Sequence, residues 1–261
     1  LLGPDGNILA HPGRLTVDPD DLPPGSNDKP VVTDEDGNKF LITPGVPTDV
    51  EEGDYQLIIA TPSDGLDVDD GIVSILPKEG NELPPAPDFG ADRQNITVER
   101  DKTTEVKLNL RPMTREVHFK TSITGTDVTA ITSVGVTLYS VARRVDVSKG
   151  FGAVLAEPSG AGYFTTIAQS PYVPDGIIPM RLLGILSERP RIEVKVVIGD
   201  SQYTYNEDAT EGLEGFNKGN PDEPVVLLIN LNIEQDDLEE AKVTGSIKPW
   251  DKGKEVEIDG N

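Results

Sequence analysis

Apolar and polar residues alternate through much of this chain, most clearly between residues 104 and 148. A period of two is typical of a β-strand with one buried face. The alternation stops at Arg111-Pro112 and restarts at Val117. Proline has no N–H for a strand ladder and holds the residue before it extended. We therefore predict the last strand of one domain, a short linker and the first strands of another, which gives domains at 1–112 and 113–261.

Turn-forming residues divide the rest of the chain into short runs of the same kind. The 26 glycines and 22 prolines are spread along the sequence, and both disfavour helix interiors. Short alternating runs between turns are typical of an all-β sandwich. A short helical turn is predicted at 127–131, with loops at 146–161 and 210–223. The predicted strands cover 14–18, 31–32, 39–43, 55–60, 70–77, 95–98, 104–110, 115–123, 133–141, 162–168, 179–186, 191–198, 201–206, 224–233, 242–250 and 255–258.

Charge and composition exclude several classes of function. The chain has 23 basic and 46 acidic side chains, a formal net charge of −23. Such an acidic chain is unsuited to binding nucleic acid or anionic lipid, which both draw on Lys and Arg. It has no cysteine and two histidines, which excludes disulfides, thiolate catalysis and sites rich in histidine. No run approaches the roughly 20 apolar residues that cross a membrane as a helix.

Two clusters of carboxylates raise the question of a calcium site. An EF-hand loop needs an aspartate five residues before its central glycine. The corresponding positions hold Leu66 before Gly71 and Val32 before Gly37. Turn formation explains both clusters, and adventitious Ca²⁺ binding is the alternative. The clustered carboxylates are Asp34, Glu35, Asp36, Asp64, Asp67, Asp69 and Asp70.

Catalytic motifs give no positive signal. The sequence contains no nucleophile-elbow, phosphate-binding-loop or dinucleotide-binding pattern. Acidic residues are so plentiful that no pair stands out by its spacing as a hydrolase dyad, although such a dyad is not excluded. Asn95-Ile96-Thr97 matches a glycosylation sequon, which has meaning only in a eukaryotic host. We predict no catalytic residue, no metal site and no cofactor.

The middle of the chain resembles a known family. Three segments carry the likeness: LRPMTREVHF at 110–119, ITGTDVTAI at 123–131 and SVGVTLYSVA at 133–142. They are similar to the middle of fimbrillin-family proteins, most closely the FimB-like accessory or anchor subunits of bacterial fimbriae. The resemblance implies two tandem transthyretin-like Greek-key β-sandwich domains and a structural protein that is not an enzyme.

The C-terminal segment resembles the same family. Residues 243–258, VTGSIKPWDKGKEVEI, have the Pro-Trp pair, polar gap, glycine and final alternating run of many fimbrillin-like proteins. We predict an assembly segment in which two short strands either pair within their own domain or add to a neighbouring subunit, and we favour pairing within the domain. The lone tryptophan would then pack at the end of the sandwich. The residues of this assembly segment are Val243, Ile247, Trp250, Val256 and Ile258.

The N-terminal segment His11-Pro-Gly-Arg-Leu-Thr-Val17 is similar to the start of FimB-like proteins. In polymerising fimbrillins an Arg-specific protease removes an N-terminal strand and opens an acceptor groove. Arg14 is the only basic residue before Lys29 apart from His11. The resemblance therefore makes Arg14 a candidate processing site.

The function expected from this resemblance is a structural and adhesive subunit of a surface fimbria, a pilus protein that assembles by β-strand addition. Its partners would be other fimbrial subunits and ligands on host or bacterial surfaces. The protein would be secreted to the cell surface or outer membrane, as a lipoprotein anchored through a cysteine upstream of this chain. The alternative is a surface glycan-binding module that stacks sugars on Trp250 or on Tyr203 and Tyr205, and an enzyme comes third.

Overall fold

In the computed structural model, the described residues are 13–22, 30–37, 39–61, 64–69, 71–125, 128–157, 164–186, 189–234 and 242–250. They form mainly β-strands in several sheets, which confirms the prediction of an all-β sandwich protein. The strands are β1 Gly13–Val17, β2 Val31–Asp34, β3 Lys39–Leu41, β4 Thr48–Val50, β5 Gly53–Ala60, β6 Leu66–Asp69, β7 Ile72–Ile75, β8 Glu82–Leu83, β9 Gly90–Val98, β10 Thr103–Val106, β11 Arg111–Pro112, β12 Arg115–Gly125, β13 Ile131–Val141, β14 Arg144–Asp146, β15 Phe164–Pro171, β16 Ile177–Leu182, β17 Arg191–Ile198, β18 Ser201–Asp208, β19 Val225–Glu234 and β20 Lys242–Pro249.

Helical segments in the described part of the chain are short. The α-helix α1 spans Thr210–Leu213. Turns of 3₁₀ helix lie at Pro19–Asp21, Val128–Ala130, Val147–Lys149 and Phe216–Lys218. The turn at Val128–Ala130 confirms the helical turn predicted for 127–131, and the predicted loop at 210–223 contains α1 and the last 3₁₀ turn.

The chain divides into two compact units. The first contains residues within Leu1–Ser74, Pro87–Met113 and Val145–Ala153, and the second contains Ile75–Ala86, Thr114–Arg144 and residues within Val154–Asn261. Each unit thus takes a segment from the other half of the sequence. The expectation of two tandem transthyretin-like domains at 1–112 and 113–261 stays a prediction.

Two sheets form the core of the first unit. One has the strand order β10-β1-β4 and the other β11-β9-β5-β2-β3, while β14-β7-β6 form a further small sheet. Alternate residues of the two larger sheets pack together because their strands have the predicted two-residue period. The buried cluster comprises Leu15, Val17, Val32, Ile42, Val50, Tyr55, Leu57, Ile59, Val98, Val106 and Leu108.

The second unit also has two main sheets, with strand orders β16-β12-β19-β20 and β18-β17-β13-β15-β8. In the first of these sheets β12 runs parallel to β19, with Val117 beside Val225 and Phe119 beside Leu227. Odd-numbered residues from 115 to 123 in β12 and from 227 to 233 in β19 are buried, while even-numbered residues lie on the outer face. The core includes Val117, Phe119, Val136, Leu138, Met180, Ile192, Val194, Leu227 and Ile229.

Two local predictions near the middle of the chain are wrong. The strand predicted over 104–110 ends at Val106, although Leu108 is still buried. Arg111-Pro112, predicted as a linker without strand structure, forms β11 and pairs with Ala91 and Gly90 of β9. This position tolerates proline because β11 is the edge of its sheet, where one missing N–H breaks no central ladder.

Candidate assembly site: the C-terminal strand and its surroundings

The C-terminal strand β20 is a member of the second unit's four-stranded sheet. It pairs antiparallel with β19, with Ile247 opposite Ile229 and Val243 opposite Ile233. Ile247 is buried and Val243 half-buried, as the alternation of this segment predicts. The other two predicted assembly residues, Val256 and Ile258, lie outside the described residues.

Side chains of β18 contact the edge of β20 that faces away from β19. The backbone N–H of Ile247 donates to Glu207 Oε2 at 2.6 Å. The Tyr205 hydroxyl lies 2.7 Å from the Gly245 carbonyl oxygen and 2.8 Å from Glu207 Oε2. Because Gly245 and Ile247 are two residues apart, their backbone groups point to the same side of the strand. Two side chains therefore take positions on this edge that an added strand would need.

The environment of Tyr205 favours its neutral form. Burial is the main cause and the hydrogen-bonded Glu207 carboxylate adds to it, and together they raise the pKa of Tyr205 to about 12. The neutral hydroxyl has one proton, for which the Gly245 carbonyl and the Glu207 carboxylate are both acceptors within hydrogen-bond distance. Loss of the hydroxyl proton therefore does not disturb this contact near neutral pH.

Trp250 follows β20 directly and lies at the rim of the sheet. Its backbone N–H donates to the Val226 carbonyl at 3.0 Å, which extends the pairing with β19 by one bond. Trp250 is 38% exposed as a residue, and Lys120 Nζ lies 5.3 Å from the ring centroid. This cation–π contact occupies one face of the ring. A sugar stacked on that face would have to displace the lysine.

The opposite edge of the same sheet is β16. The Ala86 N–H donates to the Arg181 carbonyl on the side away from β12. Pro179 stands two residues earlier, so its backbone faces the same side, and proline has no N–H to offer there. Edge strands that carry proline are poor templates for an added strand. Both edges of this sheet are thus partly closed.

A charged cluster on β12 and β16 was not predicted from the sequence. Glu116 lies between His118, whose Nε2 is 2.6 Å from Glu116 Oε2, and Arg181, which donates to Glu116 Oε1 at 2.7 Å. The hydrogen bond from His118, with the contribution of Arg181, lowers the pKa of the Glu116 carboxyl. Residues 116 and 118 share a face by strand alternation, but their pairing with Arg181 requires the strand register.

Arg115 is a second residue that sequence reasoning missed. Its buried guanidinium donates to the carbonyls of Glu223 at 2.7 Å and Phe216 at 3.0 Å, and it lies 5.4 Å from the Phe216 ring centroid. The same connection is held by Asn217, whose amide makes two hydrogen bonds with the backbone of Ile185. These contacts fix the segment between β18 and β19.

The remaining candidate residues fall in different places. Arg14 lies in β1, between β10 and β4, and its Nε donates to Asp49 at 3.2 Å. A protease needs an extended and unpaired substrate. The peptide bond after Arg14 is therefore protected while β1 is paired with its neighbouring strands. Tyr203 is half-buried and lies two residues before Tyr205 in β18.

Among the described residues, no group of three or more His, Asp or Glu side chains could hold a metal, and no helix is long and apolar enough to cross a membrane.

Comparison with known proteins identifies solved structures that share this fold. No family model matches the chain, and no curated protein sequence matches it. A solved structure of the fimbrial anchor protein Mfa2 from Porphyromonas gingivalis superposes with a TM-score of 0.56 at 11% identity, covering 92% of this chain and 98% of that one.

The protein shares its fold with a fimbrial anchor protein. A candidate adhesin from Bacteroides ovatus superposes with a TM-score of 0.58 at 12% identity over 89% of this chain and 95% of that chain. A candidate polysaccharide-binding protein from Bacteroides thetaiotaomicron gives 0.51 at 11% identity, over 92% and 99%. The resemblance to fimbrillin-like proteins drawn from the sequence is thus confirmed at the level of the fold.

Proposed function

We propose that this protein is a structural and adhesive subunit of a bacterial cell-surface fimbria, of the accessory, anchor or tip kind. The observation that carries the proposal is the fold, which the chain shares with a fimbrial anchor protein over 92% of its length. The acidic surface and the lack of catalytic motifs are compatible with a structural role. The proposal assigns the chain no catalytic activity.

The C-terminal strand supports a role at the end of a polymer. A subunit that donates a strand must release it from its own sheet. Here β20 makes a full ladder with β19, and side chains of β18 bind its outer edge. We propose that β20 stays within its unit and closes the sheet. Strand addition from other subunits, if this chain takes part in it, then uses an edge other than that of β20.

Other fimbrial subunits are the proposed partners, with host or bacterial surface molecules as ligands for adhesion. The proposed location is the cell surface, with attachment to the outer membrane through a lipid on an upstream cysteine. The glycan-binding alternative is less well supported because Lys120 covers one face of Trp250 and the Tyr205 hydroxyl is hydrogen-bonded.

Surface labelling and filament purification test this proposal. Intact producing cells treated with a membrane-impermeant biotin reagent should carry label on this protein, and sheared filaments should contain it in substoichiometric amounts. A cytoplasmic protein of the same cells serves as the control for leakage. Label that appears only after lysis would contradict the proposal, and a positive glycan array with absence from filaments would favour the glycan-binding module.

A further inference from the structure

The outer face of the sheet β16-β12-β19-β20 carries an exposed apolar area. Ile177 is opposite Lys120, which is beside Leu228, and Pro179 and Val226 lie in the next row. Ile177 is 54% exposed, and Val173 in the turn before it is 60% exposed. We call this area the Trp250 surface. It is formed by Ile177, Pro179, Val226, Leu228 and Trp250, with Val173 in the turn before β16.

Of the seven large hydrophobic residues that the structure describes as exposed, Ile177 and Trp250 belong to the Trp250 surface, and Val173 lies in the turn before β16. Contiguous exposed apolar area on a soluble protein commonly marks a contact site, and tryptophan is among the residues that contribute most to binding. This area is a sheet face, so a partner would contact side chains and would not add a strand.

The charge of this surface is opposite to that of the whole chain. Among the described residues of this sheet face, Lys120, Lys248 and Arg181 are basic and Glu116 is acidic, while Asp175 lies in the turn before β16. The chain as a whole has twice as many acidic as basic residues. A partner for the Trp250 surface should therefore offer an apolar side chain surrounded by carboxylates.

The chain itself has a surface of this kind in its first unit. Leu41, on the edge strand β3, is 64% exposed, the highest value among the exposed large hydrophobic residues described. The hairpin turn next to β3 carries Asp34, Glu35 and Asp36, with Lys39 as the one basic side chain. We call this the β2–β3 edge. Its exposed Leu41 and its net negative charge complement the Trp250 surface.

We propose that the Trp250 surface binds the β2–β3 edge of a second copy of this chain. The contact joins two different surfaces, so it is heterologous, and repetition of it gives rings or open chains of subunits. A symmetric contact of the Trp250 surface with itself would bring Lys120 and Lys248 against their own copies and is disfavoured. The inference does not depend on strand addition or on the proposed fimbrial function.

Charge reversal combined with sedimentation velocity tests the contact. The wild-type chain should associate with increasing concentration up to about 1 mM, the range of weak contacts. At each salt concentration the wild type should associate more strongly than either charge-reversed double variant, because salt also screens the repulsion between copies that each carry a net charge of −23. The double variant Lys120→Glu/Lys248→Glu should remain monomeric, and so should Glu35→Lys/Asp36→Lys.

A chain that carries both pairs of reversals should associate again, because the two surfaces are then complementary with their signs exchanged. Misfolding of a single variant cannot produce this recovery. The matched control is Lys107→Glu/Lys218→Glu, two exposed lysines outside both surfaces, which changes the net charge equally and should leave association intact.

A second pair of variants tests the apolar part of the contact. Trp250→Ala and Leu41→Ser should each be monomeric alone, but an equimolar mixture should form dimers and no longer species, because one intact interface remains. A wild-type chain that stays monomeric at every concentration and salt, or a combined charge reversal that does not restore association, would overturn the proposal. Surface labelling of cells is unaffected by either result, so this failure is distinct from failure of the proposed function.

Discussion

Among single residues, Gly219 shows how a buried charge constrains its neighbours. Its backbone φ is −76°, a value any residue adopts, yet a Cβ there would overlap the guanidinium of Arg115. Gly219→Ala should therefore displace Arg115 from the carbonyls of Phe216 and Glu223. Overpacking of this kind lowers the free energy of unfolding by about 2 kcal/mol. Denaturant unfolding of Gly219→Ala and of the wild type measures this difference in the free energy of unfolding.

The control for this prediction is Glu214→Ala, an exposed position in the same connection. Surface changes of that kind stay within about 0.5 kcal/mol. Equal stability of Gly219→Ala and the wild type would show that Arg115 is not held as described.

Tyr205 gives a prediction about alkaline pH. The pKa of Tyr205 is raised to about 12 from an ordinary value of 10.0. A raised folded-state pKa contributes stability that is complete below the unfolded-state pKa and is lost as pH rises through the folded-state pKa. The wild type should therefore lose its advantage over Tyr205→Phe between about pH 10 and pH 12.

At neutral pH the Tyr205→Phe variant should be less stable by about 1 kcal/mol, the usual contribution of one hydrogen bond. Denaturant unfolding of both proteins at a series of pH values measures the difference, in which the titration of other groups cancels. Tyr203→Phe serves as the control, since none of the hydrogen bonds described here involves its hydroxyl. A constant difference between wild type and Tyr205→Phe across this pH range would refute the assignment.

The residue-scale roles could be predicted only in part. Trp250 and Tyr205 were candidate functional residues because they are aromatic, and both lie near the C-terminal strand. Tyr205 was considered as a sugar platform, whereas its hydroxyl contacts Gly245, 40 residues away. The Arg115 contacts span about a hundred residues of sequence. Such pairings depend on register between distant strands, which local patterns do not contain.

Among the elements, β20 carries the clearest prediction. Truncation after Glu240 removes a strand that covers the inner residues Ile229, Leu231 and Ile233 of β19, together with the buried Ile247. We expect the free energy of unfolding to fall by more than about 3 kcal/mol, with increased binding of a hydrophobic dye.

Truncation after Trp250 is the matched control, because it keeps β20 and removes only residues 251–261. The difference in stability between the two truncated proteins then measures the contribution of residues 241–250, which include β20. An unchanged transition after the longer truncation would instead indicate that the C-terminal segment is free, and donation to a neighbouring subunit would become the better account.

Alternation predicted strand existence well but strand partners poorly. The runs around β12, β13, β17, β18 and β19 lie where the pattern places them. The parallel pairing of β12 with β19 and of β1 with β10 leaves no local signal, because the partners are far apart in sequence. The two-residue strand β8 belongs to the second unit because it pairs with β15. It lies in a proline-rich segment whose sequence pattern gives no indication of this pairing.

For the whole molecule, the exchanged segments change what proteolysis should show. Limited cleavage near Pro112 should give two fragments of about half the mass on a denaturing gel. Residues Ile75–Ala86, with the buried Leu83, belong to the second unit, and Val145–Ala153, with Val147, belong to the first. Each fragment therefore holds a part of the other's unit.

We expect the nicked protein to elute as a single species in native size-exclusion chromatography and to separate only in denaturant. Uncut protein sets the reference elution volume. Two fragments that separate under native conditions would support independent domains at 1–112 and 113–261.

The central claim, that the protein is a fimbrial subunit, is tested most directly by immunogold electron microscopy of intact cells that make it. The account predicts gold on surface filaments, at their base for an anchor or at their end for a tip subunit, and none on cells in which the gene is deleted. Gold confined to the cell interior, or spread over the surface with no relation to filaments, would contradict it.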